Sequence, residues 1–201
     1  MLNPSLKAVL FDFGGVLADE GFHNGLVAMA REQGLDVQGM PNAAMRAVYD
    51  SGFVLGRGSA ADFWALMRER TGLQGEDAAL TKRILDGFII RPWMIELVRG
   101  LRERGYITGI LSDQTDWLDR LDEKYHFSDA FDHIFNSYYM GKGKQDPSLF
   151  TDIAATLALA PSAILFVDDN ADNVARACEM GFQAIQYVDR ESVKELLPDP
   201  A

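Results

Sequence analysis

The sequence has 201 residues and a formal net charge of −11, with 48% hydrophobic and 24% charged residues. A chain of this length can bury a sizeable core, and its composition is typical of a globular protein rather than a disordered one. The acidic excess argues against a nucleic-acid partner or an anionic membrane surface, because both attract basic patches. An anionic substrate would require positive charge at the site itself, such as a metal ion and a lysine.

Residues 1–7 lack a basic region followed by a long apolar stretch, and no apolar run approaches the ~20 residues of a membrane span. We therefore expect a soluble, cytoplasmic protein, as a monomer or a homodimer. The single cysteine, Cys178, excludes a disulfide within the chain. Its place in a helical pattern predicts a small core residue.

Three short, continuously apolar runs end in polar residues, which is typical of strands buried on both faces. They are 8–11, ending at Asp12; 107–111, ending at Ser112-Asp113; and 163–167, ending at Asp168-Asp169. Weaker strand patterns lie at 133–135 and 184–188, and helical patterns lie at 93–104, 115–123, 147–157 and 170–180. This alternation predicts an α/β fold, with a Rossmann-like, doubly wound parallel sheet.

Residues 19–90 differ, because their apolar residues recur at helical spacing with glycine-rich breaks and no strand-like run between them. They predict a small helical insert after the first strand. The chain therefore divides into an α/β core, formed by 1–18 and 91–201, and a helical insert at 19–90.

The polar residues that follow the three strong strands predict one site. In open α/β folds, ligands bind beyond the carboxyl ends of the strands. A single strand-end acid is often only a helix cap or a solvated loop residue. The prediction depends on all three clusters occurring together.

These clusters also carry a family resemblance. Phe-Asp-Phe-Gly-Gly-Val-Leu at 11–17 resembles the first motif of the haloacid dehalogenase superfamily, whose phosphatases have Asp-x-Asp-Gly-Thr/Val. The segments 111–113, 141–150 and 166–170 resemble its second, third and fourth motifs, in the right order. The Asp-x-Gly pattern, Arg91-Pro92 and Arg57-Gly58 are similar to a bacterial branch that includes sugar-1-phosphate phosphatases. The insert lies where this family places a helical cap, so the resemblance implies an α/β core hydrolase domain, formed by 1–18 and 91–201, and a helical cap domain at 19–90.

The resemblance implies a Mg²⁺-dependent phosphatase of small phosphorylated metabolites, with sugar phosphates among the candidates, that works through a phosphoaspartyl intermediate. Asp12 would be the nucleophile, and Lys144 a second catalytic residue that supplies positive charge. The implied phosphate-binding residues are Ser112, Asp113, Gly15 and Lys144.

The implied magnesium site consists of oxygen ligands, as this hard cation prefers. Asp12 and Asp169 would bind through their carboxylates and Gly14 through its backbone carbonyl. Asp168 would bind through water or orient the ligands from outside.

Gly14 departs from the family pattern, which usually has an aspartate there to protonate the leaving oxygen. Such proton transfer contributes typically ~10²–10⁴-fold to the rate. Asp113 or a group from the cap would then supply the proton, or the substrate would have a good leaving group, or the protein would be weakly active or inactive.

Three other functions compete with this interpretation. A haloacid dehalogenase needs no leaving-group proton, but the Asp168-Asp169 pair favours a phosphatase. A phosphomutase depends on the acid that is missing at Gly14. A non-catalytic binding module would have no need to retain Asp12, Lys144 and the acidic pair.

Overall fold

The computed structural model describes residues 5–196. Its strands are β1 (Ala8–Phe11), β2 (Ile107–Ser112), β3 (His133–Asn136), β4 (Ile164–Asp168) and β5 (Gln183–Gln186). Its α-helices are α1 (Gly21–Gln33), α2 (Met40–Asp50), α3 (Ala60–Thr71), α4 (Asp77–Asp86), α5 (Pro92–Glu103), α6 (Trp117–Tyr125), α7 (Ser137–Met140), α8 (Ser148–Leu157) and α9 (Ala171–Glu179). The five strands form one parallel sheet in the order β3-β2-β1-β4-β5.

The central strand β1 is fully buried, because helices cover both faces of the sheet. Val9 and Phe11 belong to the core cluster that includes α5 and α6, whereas Ala8 and Leu10 belong to the cluster that includes α8 and α9. Side chains alternate between the faces of a strand, so one apolar strand supplies both layers. The predicted doubly wound α/β fold is confirmed.

Helices α1 to α4 occupy the segment that was predicted to be helical. The two segments that connect the insert to the α/β part lie next to each other. Ala18 and Ile90 form an antiparallel bridge, and Asp19 N donates to Ile89 O at 2.9 Å. Apolar side chains of this insert, including Phe63, share one core cluster with Phe11 of β1. The division into a core domain and a cap domain remains a prediction.

Some sequence expectations were wrong in detail. Helix α6 starts at Trp117, two residues after the predicted start at Thr115. The hydroxyl of Thr115 instead accepts a hydrogen bond from Trp117 N, just before the helix. Cys178 is exposed, whereas the neighbouring Ala177 is buried. The helical pattern was read correctly there, but its buried face was not. Within residues 5–196, no helix combines the length and apolar character needed to cross a membrane.

Candidate active site

The sheet register brings the ends of β1, β2 and β4 to one edge. Phe11 is paired with Ile110 on one side and Val167 on the other, so Asp12 follows β1 beside the ends of both neighbours. Asp12 N donates to Val167 O at 2.8 Å, and Ser112 Oγ donates to Asp12 Oδ1 at 2.6 Å. The predicted convergence of strand ends is therefore present.

Lys144, from the loop between α7 and α8, lies between two of these carboxylates. Its Nζ is 2.9 Å from Asp12 Oδ2 and 2.7 Å from Asp168 Oδ2. Lys144 is only 3% exposed and Asp168 is fully buried. A buried lysine is stable as a cation only beside negative charge, so this group of three is a compact, mutually dependent ion cluster.

Burial and the neighbouring charges shift the pKa values of Asp12 and Lys144. Burial raises the pKa of Asp12 to about 7, although Lys144 opposes the rise and Asp168 adds to it. Burial alone would lower the pKa of Lys144, but the nearby carboxylates of Asp12, Asp168 and Asp113 outweigh it and raise this pKa. Lys144 therefore remains a cation and favours the ionised form of Asp12.

Three carboxylates have an arrangement that suits a divalent cation. Asp12, Asp168 and Asp169 each offer one oxygen, and these oxygens lie within 4.8 Å of one another. Gly15, at a φ of +80°, permits this, since a Cβ there would lie 2.2 Å from Asp169 Oδ2. Burial raises the pKa of Asp169, as does the charge of Asp168. An all-oxygen donor set of this kind fits Mg²⁺.

A cavity of about 510 Å³ opens onto these carboxylates. Six of the predicted site residues line it, namely Asp12, Gly14, Ser112, Asp113, Lys144 and Asp169. Asp168 is buried beneath the cavity, where it contacts Lys144. Gly15 lines a neighbouring cleft instead, and its carbonyl accepts from Arg91 Nη1 at 2.5 Å. The roles assigned to these residues stay predictions.

Asp113 is held by hydrogen bonds, which explains how a further carboxylate is accommodated here. Its Oδ2 accepts from Tyr49 Oη at 2.6 Å, and its Oδ1 accepts from Lys144 N at 2.8 Å. Burial raises the pKa of Tyr49, and so does Asp113, so the phenol remains a donor. Gly143 allows this approach, because a Cβ there would lie 2.8 Å from Tyr49 Oη. Asp113 thus joins α2 to the Lys144 loop.

Two side chains of α9 support Asp168 and the Lys144 loop. Asn173 Nδ2 donates to Asp168 Oδ2 at 3.1 Å, which holds the carboxylate that pairs with Lys144. Arg176, which the sequence did not predict as a site residue, donates from Nη1 to Lys144 O at 2.9 Å and to Asn173 Oδ1 at 3.2 Å. The available signal was the spacing of three residues between Asn173 and Arg176, which places both on one helix face.

Glu20, which follows the first motif at the start of the helical insert, also lines the cavity. Its Oε1 accepts from His23 N at 3.1 Å and caps α1. Its Oε2 lies only 2.5 Å from where a Cβ on Gly14 would be. Burial raises the pKa of Glu20, and the charge of Asp169 acts in the same direction.

The helical insert contributes five apolar side chains to the cavity lining, beside the polar Glu20, His23 and Tyr49. We define the cap wall as the five apolar side chains Phe22, Pro41, Met45, Val48 and Val54. We define the core wall as Asp12, Ser112, Asp113, Lys144 and Asp169. The cavity therefore combines a charged floor with a partly apolar cover.

The match to a family model for haloacid dehalogenase-like hydrolases extends over residues 6–180 and includes every element from β1 to α9. The chain belongs to this family. The sheet-end position of Asp12 and the Lys144 loop agree with the motifs that carried the resemblance.

Individual relatives are distant. The D-ribitol-5-phosphate phosphatase of Bacteroides thetaiotaomicron is 25% identical over 193 residues, covering 90% of this chain and 91% of that protein. Rat bifunctional epoxide hydrolase 2 is 29% identical over 111 residues, which covers 52% of this chain but only 20% of the relative.

A solved structure of a haloacid dehalogenase family enzyme from Bacteroides thetaiotaomicron, in complex with magnesium and inorganic phosphate, superposes with a TM-score of 0.74. It is 23% identical, and the match covers 96% of this chain and all of that one. At this identity the likeness establishes the shared fold.

Proposed function

We propose that the protein is a Mg²⁺-dependent phosphomonoester hydrolase that acts through a phosphoaspartyl intermediate on Asp12. The observation that carries the proposal is the placement of Asp12 at the cavity floor, hydrogen-bonded to Ser112 and ion-paired to Lys144. A carboxylate in this setting is held in one orientation and faces an open space. The phosphatase relative and the magnesium- and phosphate-bound neighbour support the same chemistry.

The proposed reaction begins when an oxygen of Asp12 attacks phosphorus in line with the leaving oxygen. Ser112 and Lys144 bind and orient the phosphoryl oxygens, and the Lys144 cation stabilises their negative charge. Water then attacks the phosphoaspartyl group and releases inorganic phosphate. Because three carboxylates cluster around the one lysine, Lys144 and a bound Mg²⁺ together would supply the positive charge that an anionic substrate requires in a chain with a net charge of −11.

Asp12, Asp169 and Asp168 would hold magnesium together with the carbonyl of Gly14, and Asp168 is also fixed by Lys144. Bound magnesium would offset the charge of the nucleophile and of the phosphoryl oxygens. The alternative of a dehalogenase is disfavoured, because displacement of a halide does not require three carboxylates gathered within 4.8 Å.

The cap wall bears on the substrate class. Its apolar side chains offer contact area, and Glu20, His23 and Tyr49 of the same insert add polar groups to the lining. We therefore propose that the substrate is a small phosphate monoester whose leaving group has an apolar part. The phosphoryl group would lie on the core wall and the leaving group against the cap wall.

The proposal is tested by assaying phosphate release from a panel of sugar phosphates, nucleotides, apolar alcohol phosphates and an aryl phosphate, with Mg²⁺ or with chelator. Turnover should require Mg²⁺ and be abolished in Asp12→Asn, which keeps the size of the side chain but removes its charge. Asp172→Asn, on the exposed start of α9, is the matched control and should retain full activity. Turnover in excess chelator, or in Asp12→Asn, would refute the mechanism.

A further inference from the structure

The cavity contains several carboxylates, but few are free to exchange a proton with a substrate. Asp168 accepts hydrogen bonds from Lys144 and Asn173, and the oxygens of Asp113 accept from Tyr49 and Lys144 N. Asp12 and Asp169 are already used in the proposed function, as nucleophile and as metal ligand. Among the carboxylates that line the cavity, Glu20 remains, and the proposed function gives it no role.

Glu20 lies where a side chain at position 14 would otherwise lie. An ideal Cβ on Gly14 would be 2.5 Å from Glu20 Oε2 and 3.5 Å from its Cδ. Phe88 Cε1 bounds the same space at 3.4 Å. Gly14 is two residues from the proposed nucleophile, Asp12. The space beside it is therefore occupied by the carboxylate of Glu20, from a later part of the chain.

Packing on both sides holds Glu20 in this position. Before it, Asp19 N donates to Ile89 O at 2.9 Å. After it, Gly21 lies so close to Phe88 that a Cβ on Gly21 would be 2.6 Å from Phe88 N. The Oε1 atom is fixed by His23 N, which leaves Oε2 directed toward Gly14. The carboxyl is thus pre-positioned by the fold.

From this placement we infer that Glu20 is the general acid and base of the proposed phosphatase reaction, in place of a residue at position 14. The inference rests on the proposed function. As Asp12 attacks and the bond from phosphorus to the leaving oxygen breaks, the proton on Glu20 Oε2 moves to that oxygen and the alcohol departs. The resulting carboxylate then takes a proton from the water that attacks phosphorus, the bond to Asp12 breaks, and phosphate is released with both residues restored.

The test compares Glu20→Gln with the wild type on an alkyl phosphate, a poor leaving group, and p-nitrophenyl phosphate, a good one. Turnover of the alkyl phosphate should fall ~10²–10⁴-fold, the usual contribution of general acid–base catalysis. With p-nitrophenyl phosphate, one equivalent of nitrophenolate should appear in a rapid burst and phosphorylated Asp12 should accumulate, because its formation needs no acid but its hydrolysis needs the base. Asp36→Asn is the control, since this exposed carboxylate also accepts hydrogen bonds at a helix start and should have no effect.

A rescue experiment checks the position. Gly14→Asp alone should gain nothing, because its Cβ would displace Glu20. In Glu20→Ala/Gly14→Asp the space is free, and activity on the alkyl phosphate should rise at least tenfold above Glu20→Ala. Rescue without the predicted leaving-group dependence of Glu20→Gln would overturn the inference.

Three outcomes separate the hypotheses. Equal losses on both esters without a burst, together with a weaker Mg²⁺ dependence, would make Glu20 a metal-site residue and overturn its acid–base role. Unchanged activity in Glu20→Gln would also overturn it, while leaving the proposed function intact. A wild type that hydrolyses neither ester would refute the proposed function and the role of Glu20 with it.

Discussion

The two walls of the cavity are built in different ways. The core wall follows the carboxyl ends of parallel strands, where hydrogen bonds and ion pairs fix each side chain. The cap wall comes from α1, α2 and the segment after α2, and it presents apolar side chains with varied exposure, from buried Val54 to half-exposed Met45. The first wall is suited to one kind of chemistry, and the second to contact with a leaving group.

Two polar side chains of the insert reach toward the α/β part. Tyr49 donates to Asp113, and Glu20 reaches the space beside Gly14. A further contact, from Arg57 Nη2 to Gly141 O at 3.0 Å, ties the insert to the loop that carries Lys144. Changes in the core wall should therefore remove activity on every substrate, whereas changes in the cap wall should alter which substrate is preferred.

The largest effect is expected from Lys144→Met. It leaves Asp12 and Asp168 buried without their cation, and breaking a buried ion cluster in this way costs about 3–5 kcal/mol. We expect a lower urea midpoint and loss of activity on all substrates. Lys142→Met is the matched control, since Lys142 is at the surface and pairs with Asp152, and it should change neither. An unchanged midpoint in Lys144→Met would show that the cluster does not depend on this charge.

The next largest effect is expected from Asp169→Asn. Asp169 is the most exposed of the three clustered acids, Asp12, Asp168 and Asp169, and it contributes an oxygen to the candidate metal site. We expect the Mg²⁺ affinity to fall by at least tenfold, because the amide oxygen carries no full charge. Calorimetric titration without substrate measures this directly. Equal Mg²⁺ affinity in the variant and in Asp172→Asn would remove Asp169 from the metal site.

A smaller effect is expected from Tyr49→Phe, which cuts one of the polar links between the insert and the α/β part. The lost hydrogen bond to a part-buried carboxylate should lower the free energy of unfolding by about 1–2 kcal/mol. Activity should fall several-fold, since Asp113 keeps its contact with Lys144 N. Tyr139→Phe is the control, because that exposed hydroxyl bonds Asp119 away from the cavity. Equal effects of the two variants would contradict a special role for the Tyr49 link.

The core wall was easier to predict from the sequence than the cap wall. Asp12, Ser112 and Asp168 were predictable, because an apolar strand that ends in a polar residue places that residue at a known edge of a parallel sheet. The burial of Lys144 between two acids was not, since a lysine in a glycine-rich loop has no pattern that marks it as buried. The motif resemblance alone singled it out.

The cap wall was less predictable for a physical reason. Helical periodicity identifies a helix and its apolar face, but the contact between two elements also depends on how they pack. Glu20 reads as an ordinary helix cap, and its approach to Gly14 requires the close packing of Gly21 on Phe88. Cys178 shows the same limit, because one residue, or about 100° around α9, separates buried Ala177 from exposed Cys178.

The smallest effect is expected from Met45→Gln, which tests the cap wall alone. Met45 is already 49% exposed, so the lost apolar contact is equivalent to about one methylene group, roughly 0.8 kcal/mol or fourfold in kcat/KM. This loss should apply to apolar alcohol phosphates but not to sugar phosphates. Ile134→Gln, at an exposed position of β3 outside the cavity, should change neither. A uniform loss on both substrate classes would mean that Met45 supports the fold of the cap wall, and the division of labour between the walls would not hold there.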